Sequence, residues 1–130
     1  MKGGFLIGLD SGLYRRVAAA LVARGGIVAS DAYGEAVQIT VGAGHLFTLF
    51  ERVPPGTEWE VYDEPVRSAS GVAVPDLLRV AACPFECRWP DLVAWVGALA
   101  ARTAESPTWV LDGDGVLWAA DRVDPEKLML

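Results

Sequence analysis

The sequence predicts an α+β fold, a largely antiparallel sheet with two helices packed against it. Three observations predict it. Two stretches, Leu13–Arg24 and Pro90–Thr103, repeat apolar residues at three- and four-residue spacing and carry helix start and stop signals. Around them, short runs rich in Val, Ile, Phe and Trp alternate apolar and polar residues, as a half-buried strand requires. Glycine, proline and aspartate clusters separate those runs at hairpin intervals.

In chain order, Gly4–Asp10 is a short apolar run, read as an inner strand. Ser11 is the expected N-cap of the first helix, because its hydroxyl can accept from a free amide of the first turn. Leu13, Val17, Ala20 and Leu21 form that helix's apolar stripe, and Gly25-Gly26 ends it. Ile27–Ser30 and Ala36–Val41 follow as strands around the turn Asp31-Ala32-Tyr33-Gly34. Gly42-Ala43-Gly44 then turns the chain into a further β run, His45–Val53. Beyond Pro54-Pro55-Gly56, Trp59–Asp63 alternates as another strand.

Glu64–Pro75 holds Pro65, Ser68, Ser70, Gly71 and Pro75 and reads as a loop. Asp76–Ala82 fits a short helix or a strand equally well, and Phe85–Arg88 reads as a strand. Trp89-Pro90-Asp91 opens the second helix, with proline at the first helical position and an acid in the first turn. Leu92, Val93, Val96, Leu99, Ala100 and Thr103 form its stripe, with Trp95 beside it, and Ser106-Pro107 stops it. Thr108–Asp112 and Val116–Ala120 are the last strands, with β character expected through Val123 and one helical turn at Asp124-Pro125. The element order thus reads strand-helix-strand-strand twice, within one α+β domain spanning 1–130.

A chain with 52% hydrophobic and 22% charged residues is expected to fold around a core. No apolar run approaches the roughly 20 residues that span a bilayer. The Met1-Lys2-Gly3-Gly4 start, with its brief apolar run, is too short for a signal peptide, so the expectation is cytoplasmic residence with no membrane partner. The net charge of −6 argues against nucleic acid, which needs a cationic surface, and is compatible with a basic protein partner. Ordinary acidic solubility accounts for the same charge.

Few residues carry chemistry. Cys83 and Cys87 would need two further zinc ligands, and the one histidine, His45, is far along the chain, so no metal is expected. His45 lacks a neighbouring nucleophile to serve as base. No glycine-rich phosphate cradle precedes a helix, because Gly42-Ala43-Gly44 leads into a strand-like run.

The run Val110-Leu111-Asp112-Gly113-Asp114-Gly115-Val116-Leu117-Trp118 resembles the nucleophile motif of haloacid-dehalogenase-type phosphatases. The resemblance implies that Asp112 attacks phosphorus and that Asp114 acts as general acid and base. The chain departs from that pattern. Only twelve residues follow Trp118, Lys127 is the one downstream lysine, and no acidic pair accompanies it. The competing reading is two strands joined by a tight hairpin turn at Gly113-Asp114-Gly115. Trp109 and Leu111 then share one face, and Val116 and Trp118 another.

Five tryptophans in this length are more than a core readily absorbs. Surface aromatics among acids suit a protein–protein patch, and Trp59 with Glu58, Glu60, Asp63 and Glu64 is the candidate partner-binding group. A strand whose tryptophan packs inward while its acids face water explains the same letters. In size, charge, β-rich organisation and missing catalytic apparatus, the chain resembles the small acidic immunity proteins that bacteria make against secreted toxins. That resemblance implies a non-enzymatic inhibitor, without cofactor, that occludes a basic toxin domain. The alternative is a small-molecule-binding or sensor domain enclosing an aromatic pocket.

Overall fold

The structure, a computed structural model, describes residues 3–32, 34–52 and 67–130. Among the described residues its α+β architecture is one eight-stranded sheet with two helices on one face. The strands are β1 (Gly3–Gly8), β2 (Ile27–Asp31), β3 (Gly34–Val41), β4 (His45–Phe50), β5 (Arg67–Ser68), β6 (Ala81–Cys87), β7 (Thr108–Leu111) and β8 (Val116–Ala119). The helices are α1 (Leu13–Val22) and α2 (Pro90–Thr103). The spatial order is β2-β3-β4-β6-β1-β7-β8-β5, with every neighbour antiparallel except β5, which runs parallel to β8.

Both strand-helix-strand-strand units are present in chain order, but they enter the sheet differently. From β1, α1 carries the chain to the far edge, and β2-β3-β4 folds back inward to meet β6. From β6, α2 carries it only across β1, so β7 lies beside β1 and β8 continues outward. The interlocked pair β1–β6 is the centre of the sheet, joined over Gly3–Gly8 and Ala81–Glu86.

The helices lie where their stripes direct them. Leu13, Tyr14, Val17, Ala18 and Leu21 of α1 and Leu92, Val93, Val96, Leu99 and Ala100 of α2 are buried against Leu6, Val37, Ile39, Phe47, Leu49, Cys83, Phe85 and Val110. Phe47 and Phe85 stack across β4 and β6 with ring centroids 5.3 Å apart. At the end of α1, Gly26 N–H donates to Leu21 O (2.8 Å) and Gly25 N–H to Val22 O (3.1 Å), the paired closure of a Schellman motif. α2 begins at Pro90 after an extended Trp89, with Asp91 in its first turn. Gly97 sits where α2 crosses the turn Ala120–Arg122, and a Cβ there would meet Ala120 O at 2.5 Å.

The second face of the sheet has its own smaller core. Ile7, Trp109, Leu111 and Leu117 are buried there, covered by Val72, Leu77 and Val80. Trp109 Nε1 donates to Ala73 O (3.1 Å) and ties the covering segment down. The expected loop Glu64–Pro75 is therefore corrected within its described part. Arg67-Ser68 is a strand on β8, and the residues after it are a pad over the sheet.

Three further expectations are corrected. Ser11 does not cap α1; Gly12 holds that position without any side-chain cap, so the first-turn amides rely on backbone partners such as Asp10 O. Asp76–Ala82 resolves into a turn followed by β6, which begins at Ala81. The last β segment stops at Ala119, and Ala120–Arg122 is a 3-10 turn. The terminal turn at Asp124 forms, with Asp124 O accepting from Lys127 and Leu128 amides. Pro84 lies inside β6, a central strand, where its missing N–H would break a ladder. The ladder to β4 covers only Phe47–Leu49 and stops at Phe85, beside that proline.

Candidate functional site

The candidate partner-binding residues Glu58, Trp59, Glu60, Asp63 and Glu64, and the strand expected at Trp59–Asp63, lie outside the described residues. The candidates that can be placed fall in three parts of the sheet.

Asp112 directly follows β7 and is 5% exposed. Its Oδ1 accepts from the amides of Asp114 (2.9 Å) and Val116 (3.0 Å). Its Oδ2 accepts from the Trp118 indole Nε1 (3.1 Å) and the Met129 amide (3.3 Å). Gly115 takes the left-handed conformation (φ 77°) that lets the chain reverse, and Val110 pairs with Trp118 across the hairpin. Gly113 N–H donates to Met129 O (2.7 Å), so the same turn grips the end of the chain. A nucleophile needs a lone pair that substrate can approach, whereas both oxygens of this carboxylate already accept two hydrogen bonds each. The arrangement makes Asp112 the organising acceptor of a hairpin.

At the opposite end of the sheet, β3 and β4 bring two acids side by side. Glu51 follows β4, and its amide donates to Glu35 O (2.9 Å), which places the two residues directly opposite on the helix-bearing face. The Glu35 amide donates in turn to Glu51 Oε2 (3.0 Å). Like charges at directly opposed positions are unfavourable. Among the described residues, neither carboxylate has an ion-pair partner. Over them lies Tyr14 of α1, 8% exposed, its hydroxyl buried and without a well-formed hydrogen bond. Burial raises the Tyr14 pKa first, the close approach of its hydroxyl to the Glu35 carboxylate second, and the Glu35 and Glu51 charges raise it further. The hydroxyl thus lies within the field of both carboxylates, although its alignment to Glu35 falls short of a proper hydrogen bond. Cys83 sits beside them on β6, its thiol pushed up to about 12 by burial and by Glu51.

Cys83 and Cys87 are both buried free thiols. Burial raises the Cys87 thiol as well, opposed by its contact with the Trp89 backbone. Among the described residues no group of three or more His, Cys, Asp and Glu is placed to hold a metal ion. His45 opens β4 and stacks on Trp89, with centroids 3.7 Å apart and rings 10° from parallel. Of the four described tryptophans, Trp109 and Trp118 are buried, while Trp89 and Trp95 reach the surface. Val41, paired with His45, and Leu46 are exposed at the same end of the sheet. A groove of about 170 Å³ runs over Ala29, Ala36 and Phe50 with Asp31 and Arg52 at its rim. That is small beside the roughly 300–1,000 Å³ of small-molecule sites.

The Glu35–Glu51 pair leaves no local pattern in the sequence, because its members are distant in the chain and meet only through the β3–β4 register. The available signal was the hairpin itself. Counting back from Gly42-Ala43-Gly44 pairs Val41 with His45 and, six steps further along each strand, Glu35 with Glu51.

Compared with protein-family models, curated proteins and solved structures, the chain has no significant match in any of the three.

Proposed function

We propose that this chain is a non-enzymatic binding protein that engages a basic protein through an acidic surface, and that it acts as an immunity protein occluding a secreted toxin. The observation that carries the reading is the excess of negative charge. The chain has a net charge of −6, and the ion pairs Arg16–Asp10 and Arg79–Asp76 use two of its eleven basic residues at the surface. Charge left facing solvent steers a partner of opposite sign and rejects partners of like sign. The commitment of Asp112 to its own hairpin supports the non-enzymatic side of the proposal, since that residue carried the best catalytic candidate. Exposed Trp89 and Trp95 supply the aromatic surface that protein interfaces favour.

The test is affinity capture of the tagged chain from its native host, with the captured protein identified and its binding measured across ionic strength. A basic partner whose affinity falls as salt rises is the expected result. A neutral or acidic partner, or a salt-independent affinity, would sink the reading.

A further inference from the structure

We infer that Glu35, Glu51 and Tyr14 form a socket for the cationic end of an arginine or lysine side chain. This deepens the proposed function, on which it rests for the source of that side chain. Four observations converge. Extending the β3–β4 register by one step, Glu35 and Glu51 are opposed across the two strands, joined by the Glu51 amide to Glu35 O, and the Glu35 amide fixes Glu51 Oε2 in place (3.0 Å). Opposed like charges are costly in a sheet, and no described cation relieves the cost. Arg16, on the same helix as Tyr14, is engaged by Asp10 (2.8 and 3.0 Å) and does not turn toward the pair. Finally, the hydroxyl of Tyr14, a residue 8% exposed, lies beside Glu35 without a well-formed hydrogen bond.

A buried hydroxyl without a well-formed hydrogen bond is rare and calls for a physical reason. A guanidinium entering here supplies what is missing. It places a positive charge between two negative ones and gives N–H donors to Glu51 Oε1 and the Glu35 carboxylate, with the buried phenol closing the inner end of the site. The phenol proton then remains free to turn toward a glutamate. Both glutamates are only half-buried, so the entering group need not be stripped of water before it meets them. A divalent metal suits the site less well, because such ions take about six oxygen ligands and two carboxylates with one phenol offer few.

The experiment titrates the isotope-labelled full chain with N-acetyl-arginine amide, observed by two-dimensional NMR, with N-acetyl-glutamine amide and calcium chloride as parallel arms. The expected result is saturable shifts at the Glu35 and Glu51 amides and the Tyr14 ring with the arginine compound alone. In E35Q/E51Q the affinity should fall about tenfold or more. The same variant should melt at a higher temperature, since it removes the repulsion; a purely structural pair would lose stability instead. Absence of saturable shifts, equal affinity in the variant, or tighter binding of calcium at the same amides would each overturn the socket. Failure to capture a basic partner from the host would remove the proposed function, while the arginine titration would still decide the socket.

Discussion

Replacing Asp112 separates a structural carboxylate from a reactive one by the sign of the stability change. In Asp112→Ala four donors lose their acceptor: the amides of Asp114, Val116 and Met129, and the Trp118 indole. A hydrogen bond to a charged acceptor contributes about 1.5–3 kcal/mol, but simple addition overstates the loss. The three amides are only part-buried and water can reach them in the variant, whereas the indole contact is buried. The loss comes to about 3–5 kcal/mol, a large share of the roughly 5–15 kcal/mol that stabilises a domain. Asp112→Asn should cost about 2–3 kcal/mol, because in either orientation its amide nitrogen faces two donors. Urea unfolding followed by tryptophan fluorescence measures both, with the slope of the transition checking that the unfolded state is unchanged. A loss below about 1 kcal/mol in the alanine variant, or a gain, would refute the reasoning. A gain is what removal of a strained reactive acid commonly produces.

Three further outcomes follow from the same structure. Gly97→Ala should lower stability by about 1–2 kcal/mol in thermal unfolding: the clash with Ala120 O outweighs the alanine's better helix propensity, unless the 3-10 turn shifts freely. The Cys83 thiol, raised from 9.0 to about 12 in the folded chain, stays protonated where the unfolded chain has already lost the proton. Stability therefore falls as pH climbs from about 9 toward 12, and Cys83→Ala should flatten that fall in alkaline denaturation curves. Tyr14→Phe removes a hydroxyl that has no partner, so its unfolding free energy should change by less than about 0.5 kcal/mol. A loss above about 1.5 kcal/mol would mean that the hydroxyl bonds to Glu35 in solution.

What could be read in the sequence was local. Both helices announced themselves through spacing, through Pro90 and Asp91 at one start and through Gly25-Gly26 at one end, because those signals act within a turn or two of chain. The β3–β4 and β7–β8 hairpins were legible for the same reason. Strand order was not. Nothing near Phe5 marks Pro84 and Leu111 as its neighbours, since that choice depends on how two helices share one face. The parallel addition of Arg67-Ser68 to β8 leaves no periodicity to detect in two residues. The Asp112 motif shows the limit most plainly. Its letters fit a nucleophile or a turn, and what decides between them is where the Trp118 indole turns within the hairpin and that the Met129 amide arrives from the end of the chain.

The central place of β1 bears on how the chain finds its fold. This strand is made before either of its neighbours, yet it pairs on one side with β6 and on the other with β7. The meander β2-β3-β4 can zip from its own turns, while β1 waits with both edges open until most of the chain has followed. Such long-range pairing slows folding and leaves a sticky strand exposed meanwhile. A nascent chain cut short before Ala81 would hold β1 with neither neighbour. The middle of this sheet is thus a joint that closes late, and aggregation during synthesis should be most sensitive to residues Phe5–Ile7.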